Sequence, residues 1–188
     1  MRTVDGRKLN NKGFTLVELI VVMAIMVVLV GGALIGIGII SSGNAKKATK
    51  TLEASLNNLR INTMSMQGDW KLKVYMDGSQ YKADIIKTIT NEDKTTSSTV
   101  VSSEKLGSRI SIKFIDGAET VVDKDESIYV TFKEGSGKVG DVTAGNDSGS
   151  TSIKGSESLL GLFKLQSDSG TTQYGLKLWY ETGRITAE

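Results

Sequence analysis

The feature that most constrains this chain is an apolar run near its N-terminus. Residues 19–40 contain no charged side chain, and as a helix these 22 residues are roughly 33 Å long. A helix of that length matches a hydrocarbon core of about 30 Å. A secretory signal peptide has a shorter apolar core that ends at a cleavage site of small residues, whereas this run leads into a polar stretch. The sequence therefore predicts a membrane anchor.

A carboxylate stands directly before the run, at Glu18 in KGFTLVELIVV (residues 12–22). A charged side chain is costly in lipid, although less so near the end of a helix. One explanation places Glu18 in water at the membrane interface. The other is a nearby cation, which arises if the chain is cut between Gly13 and Phe14 and Phe14 gains a free α-amine. Within a helix residues 14 and 18 are one turn apart, so the pair could form within one subunit or between neighbours.

The stretch KGFTLVELIVVMAIMVVLVGGAL (residues 12–34) resembles the N-terminus of type IV pilins and type II secretion pseudopilins. The shared features are a short basic leader ending in Gly13, Phe14 as the first mature residue, Glu18 as the fifth, and the apolar helix. The resemblance implies cleavage after Gly13 by a prepilin peptidase and N-methylation of Phe14. It also implies that the helix packs in the core of a filament, with Glu18 facing the Phe14 amine of a neighbour as an assembly charge pair.

The same resemblance implies a location and a set of partners. The subunit would cross the inner membrane once, with a cytoplasmic N-terminus and a head outside the cytoplasm, and would then join the filament. Its partners would be other pilin or pseudopilin subunits, the prepilin peptidase, the inner-membrane assembly platform and, before assembly, the membrane. Basic residues flank the run on both sides, with four before it and Lys46, Lys47 and Lys50 after it, so charge bias gives little added support for this orientation.

One departure from the family concerns the middle of the apolar helix. Many major pilins have a helix-kinking proline at the position of Ile35, and this chain contains no proline. It has instead Gly31, Gly32, Gly36 and Gly38, and each interior glycine weakens a helix by ~1 kcal/mol relative to alanine. The cluster is compatible with local unwinding in a filament and equally with close helix packing through small residues.

The composition limits the chemistry. Histidine and cysteine are absent, which excludes the usual zinc sites, Ser-His-Asp and Cys-His nucleophiles, and disulfides. No motif indicates catalysis by carboxylates or lysines, so the chain is predicted not to be an enzyme and to need no cofactor. Four of the 23 basic and one of the 21 acidic residues lie in residues 1–13. The mature chain then has a balance of −1, and nucleic acid is not an expected partner.

Two acidic loops contain residue types that bind calcium, but neither has the spacing of an EF-hand. They are DKDES, with Asp123, Asp125 and Glu126, and DVTAGND, with Asp141, Asn146 and Asp147. We expect solvated loop carboxylates there, and no metal site is predicted.

The sequence after the apolar run predicts an amphipathic helix over residues 44–66. Its apolar face recurs at spacings of three and four, at Ala45, Ala48, Leu52, Leu56, Leu59 and Thr63. We expect it to continue the apolar helix, so that one helix covers residues 14–66, with 14–40 as the transmembrane or filament-core part. The alternative is a separate surface helix hinged at Gly43.

Strand patterns follow from Trp70 onward. Alternating apolar residues and a turn at residues 77–79 predict a hairpin. Further candidate strands are residues 109–115, 119–123, 127–133, 159–166 and 174–182. Strands without intervening helices imply an antiparallel sheet or sandwich, so the predicted class is α+β, with a long hydrophobic N-terminal helix packed on an antiparallel head. The predicted domains are a leader (1–13), the helix (14–66) and the head (67–188), in which the Gly/Ser-rich residues 134–157 form a mobile loop.

The tail shows a second resemblance. The resemblance is to the closing strands of the minor pseudopilin H and minor pilin T family, and it lies in SIYVTFKEGSGKVG (residues 127–140) and YGLKLWYETGRI (residues 174–185). The similar positions are Phe132, Gly135 or Gly137, and a final Gly-Arg pair. This implies a β-sandwich head and a minor subunit. Some members bind DNA through two arginines flanking one residue, but here Thr186 replaces the second arginine, and Arg184 is expected to cap the last turn or to pair with Glu181.

The predicted function is therefore a structural, minor subunit of a type IV pilus or type II secretion pseudopilus. The alternatives are a DNA-binding minor pilin of a competence or DNA-uptake system and, less well supported by the composition, an anchored enzyme.

Overall fold

The computed structural model describes residues 14–91, 94–146, 149–155, 157–170 and 172–188, without the side chains of residues 32–42. The predicted leader (residues 1–13), which includes Gly13, lies outside the described residues. The chain divides into two compact units, Met1–Ile37 and Gly38–Glu188. The helix α1 (Leu16–Ser65) contributes residues to both units.

The second unit contains the C-terminal part of α1 and a β head. The described strands are β1 (Asp69–Asp77), β2 (Gln80–Thr90), β3 (Thr96–Gly107), β4 (Ile110–Asp116), β5 (Ala118–Val121), β6 (Ser127–Phe132), β7 (Val139–Asn146), β8 (Gly149–Ser152), β9 (Leu160–Ser167), β10 (Gln173–Trp179) and β11 (Ile185–Ala187). They form a six-stranded sheet in the order β3-β2-β1-β6-β7-β8 and a five-stranded sheet in the order β11-β10-β9-β4-β5. Every strand pair described is antiparallel, which confirms an α+β protein with an antiparallel head.

One hydrophobic core joins both sheets to one face of α1. The helix residues Ala45, Ala48, Leu52, Leu56 and Leu59 are fully buried in it. From the six-stranded sheet it takes residues such as Leu72 and Val130, and from the five-stranded sheet residues such as Phe114 and Phe163, whose rings meet edge to face. Apolar burial of this kind is the main stabilising term in a small domain, so the head depends on residues 45–59 of the helix.

The prediction of a mobile loop over residues 134–157 is wrong. Strands β7 and β8 lie in this segment, and Val139, Val142 and Ala144 of β7 are buried. Gly140 and Gly145 lie within β7, and Gly and Ser residues also occupy the exposed strand β8, so they obscure the two-residue period of the buried side chains. Residues 147, 148 and 156 of this segment lie outside the described residues.

Arg60 connects the helix to two turns that are distant in the sequence. Its Nε donates to the carbonyl oxygen of Gly137 at 3.1 Å, and its Nη2 donates to the carbonyl oxygen of Thr182 at 3.0 Å. Both glycines of these turns, Gly137 and Gly183, have positive φ angles, of 64° and 60°. The guanidinium group thus satisfies two carbonyls that no strand partner reaches, and it fixes the C-terminal part of α1 against both turns.

A second polar contact connects β4 to the segment that follows β8. Asp116 Oδ2 accepts hydrogen bonds from the Tyr180 hydroxyl and from the Gly155 amide, the latter at 2.7 Å. Partial burial would raise the pKa of the Asp116 carboxyl, but the bonds from Ser158 and Tyr180 outweigh it and lower that pKa. Burial, followed by the neighbouring carboxylate, raises the pKa of Tyr180. The native fold therefore favours an ionised Asp116 beside a neutral Tyr180.

We expect Asp116→Asn to lower the free energy of unfolding at pH 7 by about 2 kcal/mol, because hydrogen bonds to a charged acceptor contribute about 1.5–3 kcal/mol. Since the folded-state pKa of Asp116 is lowered, its contribution is present above the unfolded-state value of about 3.9 and is lost as pH falls through the folded-state value. The difference in free energy of unfolding between the parent protein and Asp116→Asn should therefore be smaller at pH 3 than at pH 7. Urea unfolding at both pH values measures this.

Asp77→Asn is the matched control for this prediction. Asp77 is paired with Lys82 at 2.5 Å, and this pair also lowers the carboxyl pKa, but the group is exposed. Exposed ion pairs contribute little, so the unfolding midpoint of this variant should stay close to that of the parent. Equal losses for the two variants, or an Asp116→Asn effect that does not change with pH, would contradict the proposed contribution of Asp116.

The buried helix face also predicts that residues 44–188 fold alone. The fragment keeps the helix residues that reach the core and all described strands. Its circular dichroism spectrum should show helix and strand together, and it should melt in one cooperative transition. A second fragment that starts at residue 67 is the control, because it lacks the helix and should not fold. A disordered spectrum for the longer fragment would contradict the boundary at residue 44.

Candidate functional site: the N-terminal segment

The N-terminal end of α1 is capped by a side chain. The amide of Glu18 donates to Thr15 Oγ1 at 3.2 Å, and the amide of Leu19 donates to the Thr15 carbonyl oxygen at 3.2 Å. Thr15 is thus the N-cap and Glu18 the third helical residue, the spacing of a capping box. Glu18 is also the acidic residue of the first turn, where the positive end of the helix dipole favours a carboxylate. This role was not predicted from the sequence, although Thr-x-x-Glu before an apolar run indicates it.

Phe14 lies before the helix and not within it. The helix starts at Leu16, and the Phe14 side chain is 81% exposed. Phe14 and Glu18 are therefore not an i,i+4 pair of one helix in this chain, in contrast to the intrasubunit geometry considered from the sequence. The pairing of Glu18 with the Phe14 amine of another subunit does not depend on that geometry.

The first turns of α1 are apolar on all sides. Every residue over 14–31 is exposed, and the large apolar residues among them are Phe14, Leu16, Val17, Leu19, Ile20, Val21, Val22, Met23, Ile25, Met26, Val27, Val28, Leu29 and Val30. A contiguous apolar surface of this extent marks a site for lipid or for other protein chains. Chemically, the segment offers a hydrophobic surface with one carboxylate at its start.

The predicted membrane span reaches beyond the described side chains. Residues 32–40 of the apolar run fall among those whose side chains are not described. Within the part of the chain that the structure describes, no helix is long and apolar enough to cross a membrane.

The comparison with protein families gives a direct result for this segment. Residues 8–34 match the model of the prokaryotic N-terminal methylation motif. This chain carries a prepilin-type N-terminus. The motif supports a type IV pilin or pseudopilin that is processed by a prepilin peptidase and assembles with other pilin subunits. No curated protein and no solved structure shows significant similarity to the chain.

In the two acidic loops identified from the sequence, side-chain oxygens accept hydrogen bonds from nearby residues. Asp123 Oδ1 accepts from the amides of Asp125 and Glu126, both at 2.8 Å. Asp141 Oδ1 accepts from the Ser152 hydroxyl at 2.7 Å, and Asn146 Oδ1 from the Gly149 amide at 3.1 Å. Among the described residues no group of three or more acidic side chains is placed to hold a metal ion, and Asp147 lies outside those residues.

The expected pairing of Arg184 with Glu181 is wrong. Glu181 pairs with Lys138 at 2.5 Å, and this ion pair lowers the pKa of the Glu181 carboxyl. The amide of Arg184 donates to Thr182 Oγ1 at 3.2 Å, and its carbonyl oxygen accepts from the Trp179 amide. The backbone of Arg184 thus helps to close the turn between β10 and β11.

The two possible roles of Glu18 predict different mutant behaviour. Glutamine retains a side-chain acceptor for the capping box but has no charge, whereas alanine loses both. If Glu18 acts as a charge, we expect both Glu18→Gln and Glu18→Ala to reduce incorporation into filaments, without a loss of membrane-associated protein. Immunoblots of sheared filaments and of membranes measure the two quantities. Normal assembly of Glu18→Gln with failure of Glu18→Ala would assign Glu18 to capping alone.

Proposed function

We propose that this chain is a structural subunit of a type IV pilus or type II secretion pseudopilus, without catalytic activity of its own. One observation carries the proposal: the methylation motif at residues 8–34 coincides with a helix whose apolar side chains are exposed over residues 14–31. A processing signal and a hydrophobic assembly surface in the same segment are what such a subunit requires. A catalytic function has no comparable support.

The proposed mechanism starts with removal of residues 1–13 after Gly13. Cleavage removes four basic side chains and creates an α-amine at Phe14, which is then methylated. The subunit waits in the inner membrane with its apolar helix in lipid, its N-terminus in the cytoplasm and its head outside. The assembly platform transfers it into a filament, where contacts between helices replace lipid. Glu18, at the start of the helix, then faces the Phe14 amine of a neighbour.

We further propose a minor, H-like or T-like subunit. The two antiparallel sheets on one face of α1 support this, because a sandwich on a long helix is what that resemblance implies. The glycines that carry the resemblance also lie together: a Cβ atom at Gly183 would stand 1.8 Å from the Gly137 carbonyl oxygen. DNA binding is not part of the proposal, since the processed chain has no basic excess and Arg184 lacks the second arginine.

Mass spectrometry of the protein extracted from membranes of its own cells tests the proposal. The mature chain should begin at Phe14 and carry one added methyl group. A parallel culture without an active prepilin peptidase is the control, and it should yield the precursor with residues 1–13 attached. A chain that retains these residues in the presence of the active peptidase would overturn the proposal.

A further inference from the structure

A groove with a basic wall lies between α1 and the edge of the six-stranded sheet. It has a volume of about 580 Å³, and its basic wall is formed by Lys46, Lys47 and Lys50 of the helix. These three side chains are exposed, and the acidic side chain that lines the same groove is Glu104 of β3. The groove therefore has an excess of positive charge and suits an anionic occupant.

The other wall of the groove is formed at the open edge of the six-stranded sheet. Strand β3 is the outermost strand of its sheet and has 12 residues, whereas the other described edge strands, β8, β5 and β11, have 4, 4 and 3. Proteins usually keep edge strands short or charged, because an open edge pairs with further strands. The edge of β3 presents unpaired backbone groups to any extended chain that lies beside it.

The register of β3 shows which part of this edge borders the groove. Two bulges, at Val101 and Leu106, leave residues 102–105 as a regular stretch. Within it Glu104 is opposite Ala83, which is buried in the core-facing side of the sheet. Directly opposite residues share one face, so Glu104 is on the side of the sheet that faces the core. A strand added here would present one row of side chains to the groove.

We propose that this groove binds an extended acidic segment of a partner protein by strand addition. The backbone of the segment would pair with residues 102–105 of β3, and its carboxylates would contact Lys46, Lys47 and Lys50. Main-chain hydrogen bonds then provide affinity, and the lysines select acidic sequences. The proposal concerns the second unit, Gly38–Glu188, and does not depend on assembly into a filament.

Fluorescence anisotropy with the full chain in detergent micelles tests this proposal. The probe is a labelled peptide of alternating Asp and Thr, and its matched controls are the Asn-Thr peptide and the same acidic peptide with alternate amides methylated. The protein variants are Lys46→Gln/Lys47→Gln/Lys50→Gln and, as a control with the same change in charge, Lys113→Gln/Lys164→Gln/Lys177→Gln in the strands of the second sheet.

We expect the groove variant to bind the acidic peptide about tenfold more weakly, because it loses three charge contacts, and the control variant to bind like the parent. Glu104→Gln should bind more tightly, since it removes a like charge. Methylation of the pairing amides and replacement of Asp by Asn should each weaken binding. Equal binding by both triple variants, equal binding of the methylated peptide, or no binding at about 1 mM peptide would overturn the proposal.

Discussion

Replacement of Gly13 by leucine is expected to leave residues 1–13 attached and to abolish incorporation into filaments. A peptidase must approach the backbone closely at the bond that it cuts, and glycine leaves that approach open. An uncleaved chain would also carry Lys8 and Lys12 beside the apolar start of α1, where burial of an unpaired charge is costly. Immunoblots of cell extracts and sheared filaments measure precursor size and incorporation together.

Asn10→Ala is the control for the cleavage prediction, because it alters the same leader without touching the cleaved bond. Its precursor should be processed, and its filament content should equal that of the parent. Efficient incorporation of the uncleaved Gly13→Leu chain would show that assembly needs neither the new amine at Phe14 nor loss of the basic leader. The proposed role of processing would then be wrong, whatever the fate of Glu18.

Gly183→Ala is expected to destabilise the head by about 3 kcal/mol or more. Gly183 has a φ of 60°, and an added Cβ atom would lie 1.8 Å from the Gly137 carbonyl oxygen and 3.0 Å from Arg60 Nε. That oxygen belongs to the backbone and accepts a hydrogen bond from Arg60, so relief of the clash must displace the turn or break the bond. Both the strained backbone and the disrupted contact destabilise the fold. Thermal and urea unfolding measure the loss.

Gly78→Ala separates the two contributions. Gly78 has a φ of 63°, almost the same as Gly183, but an added Cβ atom would find no heavy atom within 4 Å. The free energy of unfolding of this variant should fall by only about 1 kcal/mol, which is the cost of placing a residue with a Cβ atom in the left-handed conformation. If both variants lose the same stability, close contact between the turns at Gly137 and Gly183 does not contribute, and the structural role assigned to Arg60 is wrong.

The N-terminal motif was predictable because its signals are local. Gly13, Phe14 and Glu18 were identified by their order and by the apolar run that follows, and the match to the methylation motif covers the same residues. The Thr-x-x-Glu spacing in the same residues also indicates the capping interaction of Thr15, but both explanations of Glu18 concerned its charge and neither considered a cap.

The head was less predictable because much of its pattern depends on distant contacts. The first hairpin, β1 and β2, followed from alternation and a Gly-containing turn. Strand β3 was missed because residues 96–101 are exposed and therefore show no apolar period. Arg60 looked like any solvent-facing residue of an amphipathic helix. Its two acceptors are 77 and 122 residues away in sequence, which no local pattern can reveal.

The hydrogen bonds of Arg60 to residues distant in sequence have a consequence for the order in which the head folds during synthesis. The helix that carries Arg60 is synthesised early, whereas its acceptor in Thr182 and the strand β11 come about 120 residues later. Closure of such long loops is slow relative to local structure, because much chain entropy is lost before any contact forms. A head whose residues around 182 have not yet left the ribosome cannot complete this contact. Formation of the contact therefore requires that synthesis has advanced at least that far.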